Sequence, residues 1–523
     1  MEKTSHPKGL FILSLSSVAE RFSYYGMRAV LCLYMASCLF SQRATVELYG
    51  CFTGLVYLTP LLGGYLAGRY LGERRSIVLG GIIMAIGHFL LFASGATAQQ
   101  SIFAQDGEIM HSVDNFLPKV LLFGGLALLV VGTGFYKPTS SSLVGALYEP
   151  SDKRIDDAYT IFYMGVNAGA LVAPIVCGIF ESDWSNPGRF KWAFLVAACV
   201  MVASVIQFLL MQRGVTGPDG ELVGEAPKRN AEKHDARESE TFDMPFISKA
   251  ICVILGLLLI ALFGIGAKSA SDWISAVIYS FCIVVPLSII LDRNLTRVER
   301  MRILVIYVIV AFGVIFWSFY EQAGCALTLF AKENVDCTIG GWEMPSVWLQ
   351  SVNPVCVVAF APVMVMLWKW LSRHGLEPSS IVKQAIGILL LALGYAVMVY
   401  ATRGMSPTSK IAILWIIMLY WLHSIGELAL SPIGMSLVNK LSPARLASLM
   451  MGVWFLSSAA AGVIAGKLST LLPHPGQPAS VIMGYSIETF SDFFLVFVVL
   501  GGVAGIVLAL LNPILKRMSG GIL

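Results

Sequence analysis

Apolar stretches of about 20 residues or more, each long enough for a helix to cross bilayer hydrocarbon, recur along the whole chain and limit its fold more than any other feature. They fall at roughly 10–38, 47–70, 76–97, 117–147, 155–182, 190–212, 247–266, 271–291, 299–331, 344–371, 379–402, 408–438, 445–472 and 484–511, fourteen in all. Only 13% of residues are charged and 57% are hydrophobic, a balance far from that of a water-soluble domain. A membrane barrel would need short alternating strands instead. The pattern predicts an all-α polytopic membrane protein whose main partner is the lipid bilayer.

The ten cysteines lie mostly inside apolar runs and form no Cys-x-x-Cys pair, so they read as small packing residues. Cys38 and Cys51 flank the first helical hairpin, where a disulfide is conceivable. No metal or cofactor is expected, and nothing suggests nucleic-acid binding. The opening "MEKTSHPKG" is short and basic, and the run behind it has charges at its middle and no small-residue cleavage site. It is expected to stay as an uncleaved first span.

Lys and Arg fix the expected orientation. "RYLGERR", "DKR", "RNLTRVERMR", "KWLSRHG", "NKLSPAR" and "LKR" all fall on one side, which should be the cytoplasm, with both termini there. One long polar segment, "VTGPDGELVGEAPKRNAEKHDARESETF", is rich in charge and short of aromatics, as a linker is. The expected organisation is a six-helix bundle (1–213), a cytoplasmic linker (214–246), an inserted two-helix hairpin (247–292) and a second six-helix bundle (293–523). Six plus six spans resemble the halves of major-facilitator transporters, related by a pseudo-two-fold axis. That resemblance rests on hydropathy and charge, since no strong residue-level repeat stands out.

Charges interrupt the spans at telling places. With the hairpin set aside, Glu20 and Arg21 lie in span 1, Lys137 in span 4, Glu321 in span 7 and Glu427 in span 10. A charge at a helix centre costs about 2.5–3.5 kcal/mol on insertion scales. These are the first helices of each three-helix group, the ones that line the central cavity in a six-plus-six transporter. The bland alternative is a set of buried pairs tying helices together. On span 1, Ser17, Glu20 or Arg21, Tyr24 or Tyr25, and Arg28 follow helical steps; Trp317 and Glu321 share a face, as do Tyr163 and Asn167. Gly132, Gly134 and Pro138 bracket Lys137, so that helix can bend. His88 and His423 read first as packing or hydrogen-bonding residues.

A cavity with separate positive and negative ends suits a short zwitterionic peptide. Arg21 and Lys137 can bind its carboxylate, Glu427 its ammonium group, and Asn167 and Asn353 its amide. Tyr25, Tyr57, Trp317 and Trp454 can form permissive apolar pockets. Glu321 is the best candidate for carrying a proton.

The stretches "ERFSYYG", "GTGFYKPTSSSL", "FYMGVNAGA", "FWSFYEQ", "QSVNP" and "GELALSPIG" resemble the proton-dependent oligopeptide transporter family, and they occur in its order over nearly the whole chain. The hairpin resembles the extra pair in prokaryotic members. The resemblance implies a major-facilitator fold and proton-coupled uptake (symport) of di- and tripeptides by alternating access, in a bacterial inner membrane, by a monomer that is not an enzyme. It implies carboxyl-end contacts from Arg21 and Lys137 with Tyr25 and Tyr57 nearby. Glu427, helped by Asn167 and Asn353, takes the amino end. Proton coupling falls to Glu20, Arg21, Lys137 and Glu321.

Three positions depart from the family pattern. Ser17 stands where its first-helix motif has a Glu, Thr139 where Asn follows Lys-Pro, and Gly68 where a loop motif has Asp. Ser17 keeps open a second reading, the same fold with a non-peptide substrate or weak proton coupling. No HExxH, GxSxG or phosphate-binding loop points to an intramembrane enzyme or sensor.

Overall fold

In a computed structural model of the chain, the described residues are 6–99, 102–103, 109–111, 115–149, 152, 154–182, 184, 186–225, 246–406, 409–474, 478–482 and 484–521. The spans are helices, in two compact units. The first comprises Met1–Thr45, Leu58–Asp235 and Cys337–Val355. It holds α1 (Lys8–Cys38), the later part of α2 (Gln42–Leu66), α3 (Glu73–Thr97), α4 (Phe116–Ala146), α5 (Ile155–Gly178) and α6 (Lys191–Met211). The second comprises Val46–Tyr57, Ala236–Asp336 and Cys356–Leu523. It holds α7 (Phe246–Gly264), α8 (Ala270–Ile290), α9 (Arg297–Tyr320) with its short continuation α10 (Ala326–Asn334), most of α11 (Val352–Arg373), α12 (Ser380–Ala401), α13 (Ile413–Leu441), α14 (Ala447–Ser469) and α15 (Phe490–Met518). Among the described residues, 12 helices are long and apolar enough to cross a membrane. The charged α1 and the shorter α7 complete the expected fourteen.

Each unit is built on the same packing scheme. In the first, α1 packs on α5 and α6, and α3 packs on α4 and α6. In the second, α9 packs on α14 and α15, and α12 packs on α13 and α15. With α7 and α8 set aside, these are the same pairs counted from the start of each half.

Glycine lets two of these pairs meet backbone to backbone, as membrane helices without a hydrophobic drive between them require. A Cβ on Gly80 of α3 would lie 2.7 Å from the Gly132 carbonyl oxygen of α4, and one on Gly387 of α12 would lie 2.7 Å from that of Gly426 on α13. Aligned on this contact, α4 and α13 reveal a short repeat that hydropathy hides: Gly132, Pro138 and Ser142-Leu143-Val144 recur as Gly426, Pro432 and Ser436-Leu437-Val438.

Local chemistry explains several departures from a uniform set of rods. The run 299–331 reads as one span, yet α9 ends at Tyr320, a single 3-10 turn covers Glu321–Gly324, and α10 restarts at Ala326. The Tyr49 phenol lies against Gly324 where any side chain would stand, and Cys325 leaves helical dihedrals at φ −117°, ψ −104°. Cys38 and Cys51 are both free thiols rather than a disulfide: Cys38 donates to the Tyr34 carbonyl at 3.4 Å and Cys51 to that of Ser271 at 3.3 Å.

The start of the expected linker is folded. A turn at Gly217–Gly220, with Gly220 at φ +78°, carries residues 216–222 back on themselves. The Arg74 amide donates to the Gly224 carbonyl at 3.0 Å, and its guanidinium binds the carbonyls of Gln212 and Val215. The rest of that linker, 226–245, lies outside the described residues.

Candidate functional site

In the first unit the charged group is centred on α1. Arg21 Nε lies 3.2 Å from Glu20 Oε2, and Glu20 is almost fully buried. Adjacent residues do not share a helix face, yet the two side chains meet beside α5. A Cβ on Gly169 would lie 3.1 Å from Arg21 Cβ and from the Phe22 nitrogen. The small residue in "NAGA" therefore sets how closely α5 approaches Arg21. Arg28 sits over the Tyr25 ring at 5.9 Å, and Tyr24 meets Tyr25 edge to face at 5.3 Å.

Lys137 is half-buried on α4, next to Pro138. The proline ring removes a backbone donor at this point, yet α4 runs on unbroken. Thr139 donates its hydroxyl to the Phe135 carbonyl at 2.7 Å, so at this position a hydroxyl is used within the helix itself. Asn167 is half-buried and donates to the Tyr163 backbone carbonyl at 2.9 Å, one turn back on α5. Asn353 is half-buried in the segment Cys337–Val355 of the same unit. Ser17 is buried, and its hydroxyl makes no hydrogen bond among the described residues. Gly68 sits in a π-turn over Ala67–Leu71, and a Cβ there would meet nothing within 4 Å. Packing thus does not demand glycine at that position.

That unit is also tied at the far end of α5. Glu181 accepts from the Ser346 hydroxyl at 2.8 Å and the Val347 amide at 3.0 Å, which caps the 3-10 helix Ser346–Ser351. Trp348 Nε1 donates to the Ile175 carbonyl at 3.0 Å, and the Ser351 hydroxyl to that of Leu171 at 2.9 Å.

In the second unit the acids gather at the end of α9. Glu321 is buried at the break after Tyr320. Glu427 is half-buried on α13, one residue beyond the Gly387–Gly426 contact, and its Oε2 accepts from the Tyr320 hydroxyl at 2.6 Å. Trp317 stands edge to face with Tyr320 at 5.2 Å. Tyr57 is half-buried on the part of α2 that belongs here. Trp454 is buried, with its ring seated against Gly434 of α13, where a larger residue would collide with it.

The structure therefore brings Glu20 to Arg21, and Glu427 and Trp317 to Tyr320. Tyr320 is the residue that sequence reading missed. Its signal was available in outline: it directly precedes Glu321 and lies three residues beyond Trp317, on the helical face already singled out.

The sequence profile of the POT family matches residues 74–482. The chain is 31% identical to the uncharacterized transporter YclF of Bacillus subtilis (strain 168), over 99% of this chain and 96% of that protein. It is 32% identical to the peptide transporter YePEPT of Yersinia enterocolitica, over 88% of each chain. A crystal structure of a POT family transporter in complex with a thioalcohol conjugated peptide superposes with a TM-score of 0.77 at 28% identity, over 98% of both chains. With a family profile matched over most of its length and relatives above 30% identity covering nearly the whole chain, the chain belongs to the POT family.

Proposed function

We propose that this protein is a secondary active transporter that takes up di- and tripeptides together with protons by alternating access. The observation that carries the reading is the division of charge. The cations Arg21 and Lys137 stand in the first unit, and the acids Glu321 and Glu427 in the second. A zwitterionic peptide needs one group of each sign. Arg21 offers a planar fork and Lys137 a point charge to the carboxylate, with Tyr25 and Tyr57 nearby. Glu427 takes the ammonium group, with Asn167 and Asn353 on the amide and Trp317 and Trp454 as apolar surfaces. Glu321, buried at a helix break, is the proton carrier, with Glu20, Arg21 and Lys137 in the coupled set.

The organisation that goes with this reading is an N-terminal bundle 1–213, linker 214–246, hairpin 247–292 and C-terminal bundle 293–523. The protein acts as a monomer in the inner membrane, with both termini cytoplasmic, and it moves its substrate without chemical change.

Uptake of labelled dialanine into proteoliposomes tests this directly. Accumulation should require an inward proton gradient. Uptake indifferent to the gradient would remove the coupling, and no saturable uptake would remove the peptide.

A further inference from the structure

We propose that Tyr320 is a positioning residue for the peptide amino terminus, acting through Glu427. This rests on the reading of Glu427 as the ammonium contact. The Tyr320 hydroxyl donates to Glu427 Oε2 at 2.6 Å, the short distance of a bond to an ionised acceptor. A carboxylate offers about four lone-pair sites, so holding one oxygen this way leaves capacity for an ammonium group. What the hydroxyl fixes is the rotamer and orientation of the acid before any peptide arrives.

The phenol is itself held in place. Phe316 stacks on it at 5.7 Å with planes 21° apart, Trp317 meets it edge to face, and the His423 ring lies 6.3 Å away on α13, one turn before Glu427. His423 is fully buried, pressed between Gly394 and the Tyr395 ring at 4.9 Å. Tyr395 is pinned in turn by donating to the Phe319 carbonyl at 2.6 Å. Residues of α9 and α13, backed by α12 behind His423, thus flank the Tyr320 ring, and its hydroxyl meets the acid. Support of this kind, a ligand-binding group locked by a second layer of packed and bonded side chains, is what preorganises a binding site. A hydroxyl satisfying itself on the nearest acceptor would not need it.

The inference predicts an effect on one end of the ligand only. Tyr320→Phe keeps the ring and its packing and removes the bond. Competition assays on reconstituted full-length protein compare dialanine with its des-amino analogue, propionyl-alanine. Tyr320→Phe should weaken dialanine about tenfold, the order expected for losing a hydrogen bond to a charged group, and leave propionyl-alanine unchanged. In a Glu427→Gln background the same substitution should change neither ligand further. Equal loss of both ligands in Tyr320→Phe would mark a scaffold role and overturn the proposal. An unchanged or tightened dialanine affinity would overturn it too, by showing that the hydroxyl competes with the ammonium group. If the unsubstituted protein binds neither ligand, the peptide reading itself fails, a result distinct from either.

Discussion

Two residues in equivalent places show how the halves of this transporter differ. His88 follows Gly87 on α3, and Tyr395 follows Gly394 on α12, with each glycine seven residues after the one at the α3–α4 or α12–α13 backbone contact. In the first half the Ser23 hydroxyl donates to the Ala197 carbonyl at 2.6 Å, so at 2.9 Å it accepts from His88 Nε2, joining α3 to α1 and α6. In the second half Tyr395 joins α12 to α9 through the Phe319 carbonyl. The joint is repeated and the chemistry is not. The same holds on α4 and α13. In the register set by their shared glycine and proline, Lys137 corresponds to Ser431 and Glu427 to Thr133. The cation and the acid therefore occupy the same face of equivalent helices, one turn apart in height. Two matching helices thus carry opposite charges at different levels.

The first way to break this comparison is to remove the acid at the break in the second half's first helix. Glu321→Gln should abolish gradient-driven accumulation of dialanine and spare counterflow, in which no net proton movement is needed. One proton at about 150 mV supplies about 3.5 kcal/mol, so the lost accumulation is on the order of a few hundredfold. Accumulation that survives in Glu321→Gln liposomes would pass the coupling role to another group.

A second test asks whether the two signs serve the two ends of the ligand. Lys137→Ala and Glu427→Ala should each weaken dialanine by about thirtyfold or more, the low end of the cost of truncating one partner of a charged pair. The sharper reading lies in the ligands. Dialanine amide, without its carboxylate, should be insensitive to Lys137→Ala, and propionyl-alanine should be insensitive to Glu427→Ala. Crossed sensitivities would reverse the assignment of the two ends.

Hydropathy made the fourteen spans legible because hydrocarbon thickness imposes one length on every helix that crosses it. The charges within those spans were legible for the same reason: each is conspicuous where it is expensive. The break at Glu321 was not, because the apolar run continues through Gly324 and Cys325, and the Tyr49 ring that packs against Gly324 arrives from a distant helix. The repeat of Gly132, Pro138 and Ser142-Leu143-Val144 escaped notice until the Gly80–Gly132 and Gly387–Gly426 contacts supplied its register. Tyr320 escaped because an aromatic in a membrane helix is ordinarily packing, and only its hydroxyl's partner on α13 distinguishes it.

The smallest expected effects compare two ion pairs outside the spans or at their edges. Asp152 pairs with Arg154 at 2.6 Å in the first half, and Glu377 with Lys383 at 2.6 Å in the second. Hydrogen bonds from Arg154 pull the Asp152 carboxyl down from 3.8 to about 2, and the bond from Lys383 likewise lowers Glu377. A depressed carboxyl stabilises the fold above its ordinary value and loses that contribution as pH falls through the depressed one. Neither pair should therefore make the melting temperature vary between pH 6 and 8, by about the range where both acids stay ionised. Substitution separates them. Arg154 left by Asp152→Asn keeps 27% of its side chain open to water and the Tyr148 ring at 5.8 Å, so its charge stays solvated. The Lys383 side chain is only 10% exposed and lies 4.9 Å from the Trp368 ring, so Glu377→Gln leaves a charge with little access to solvent. Thermal melts in detergent at neutral pH should show no change for Asp152→Asn and a measurable drop for Glu377→Gln. An equal response would mean that burial of the cation does not decide the strength of these pairs.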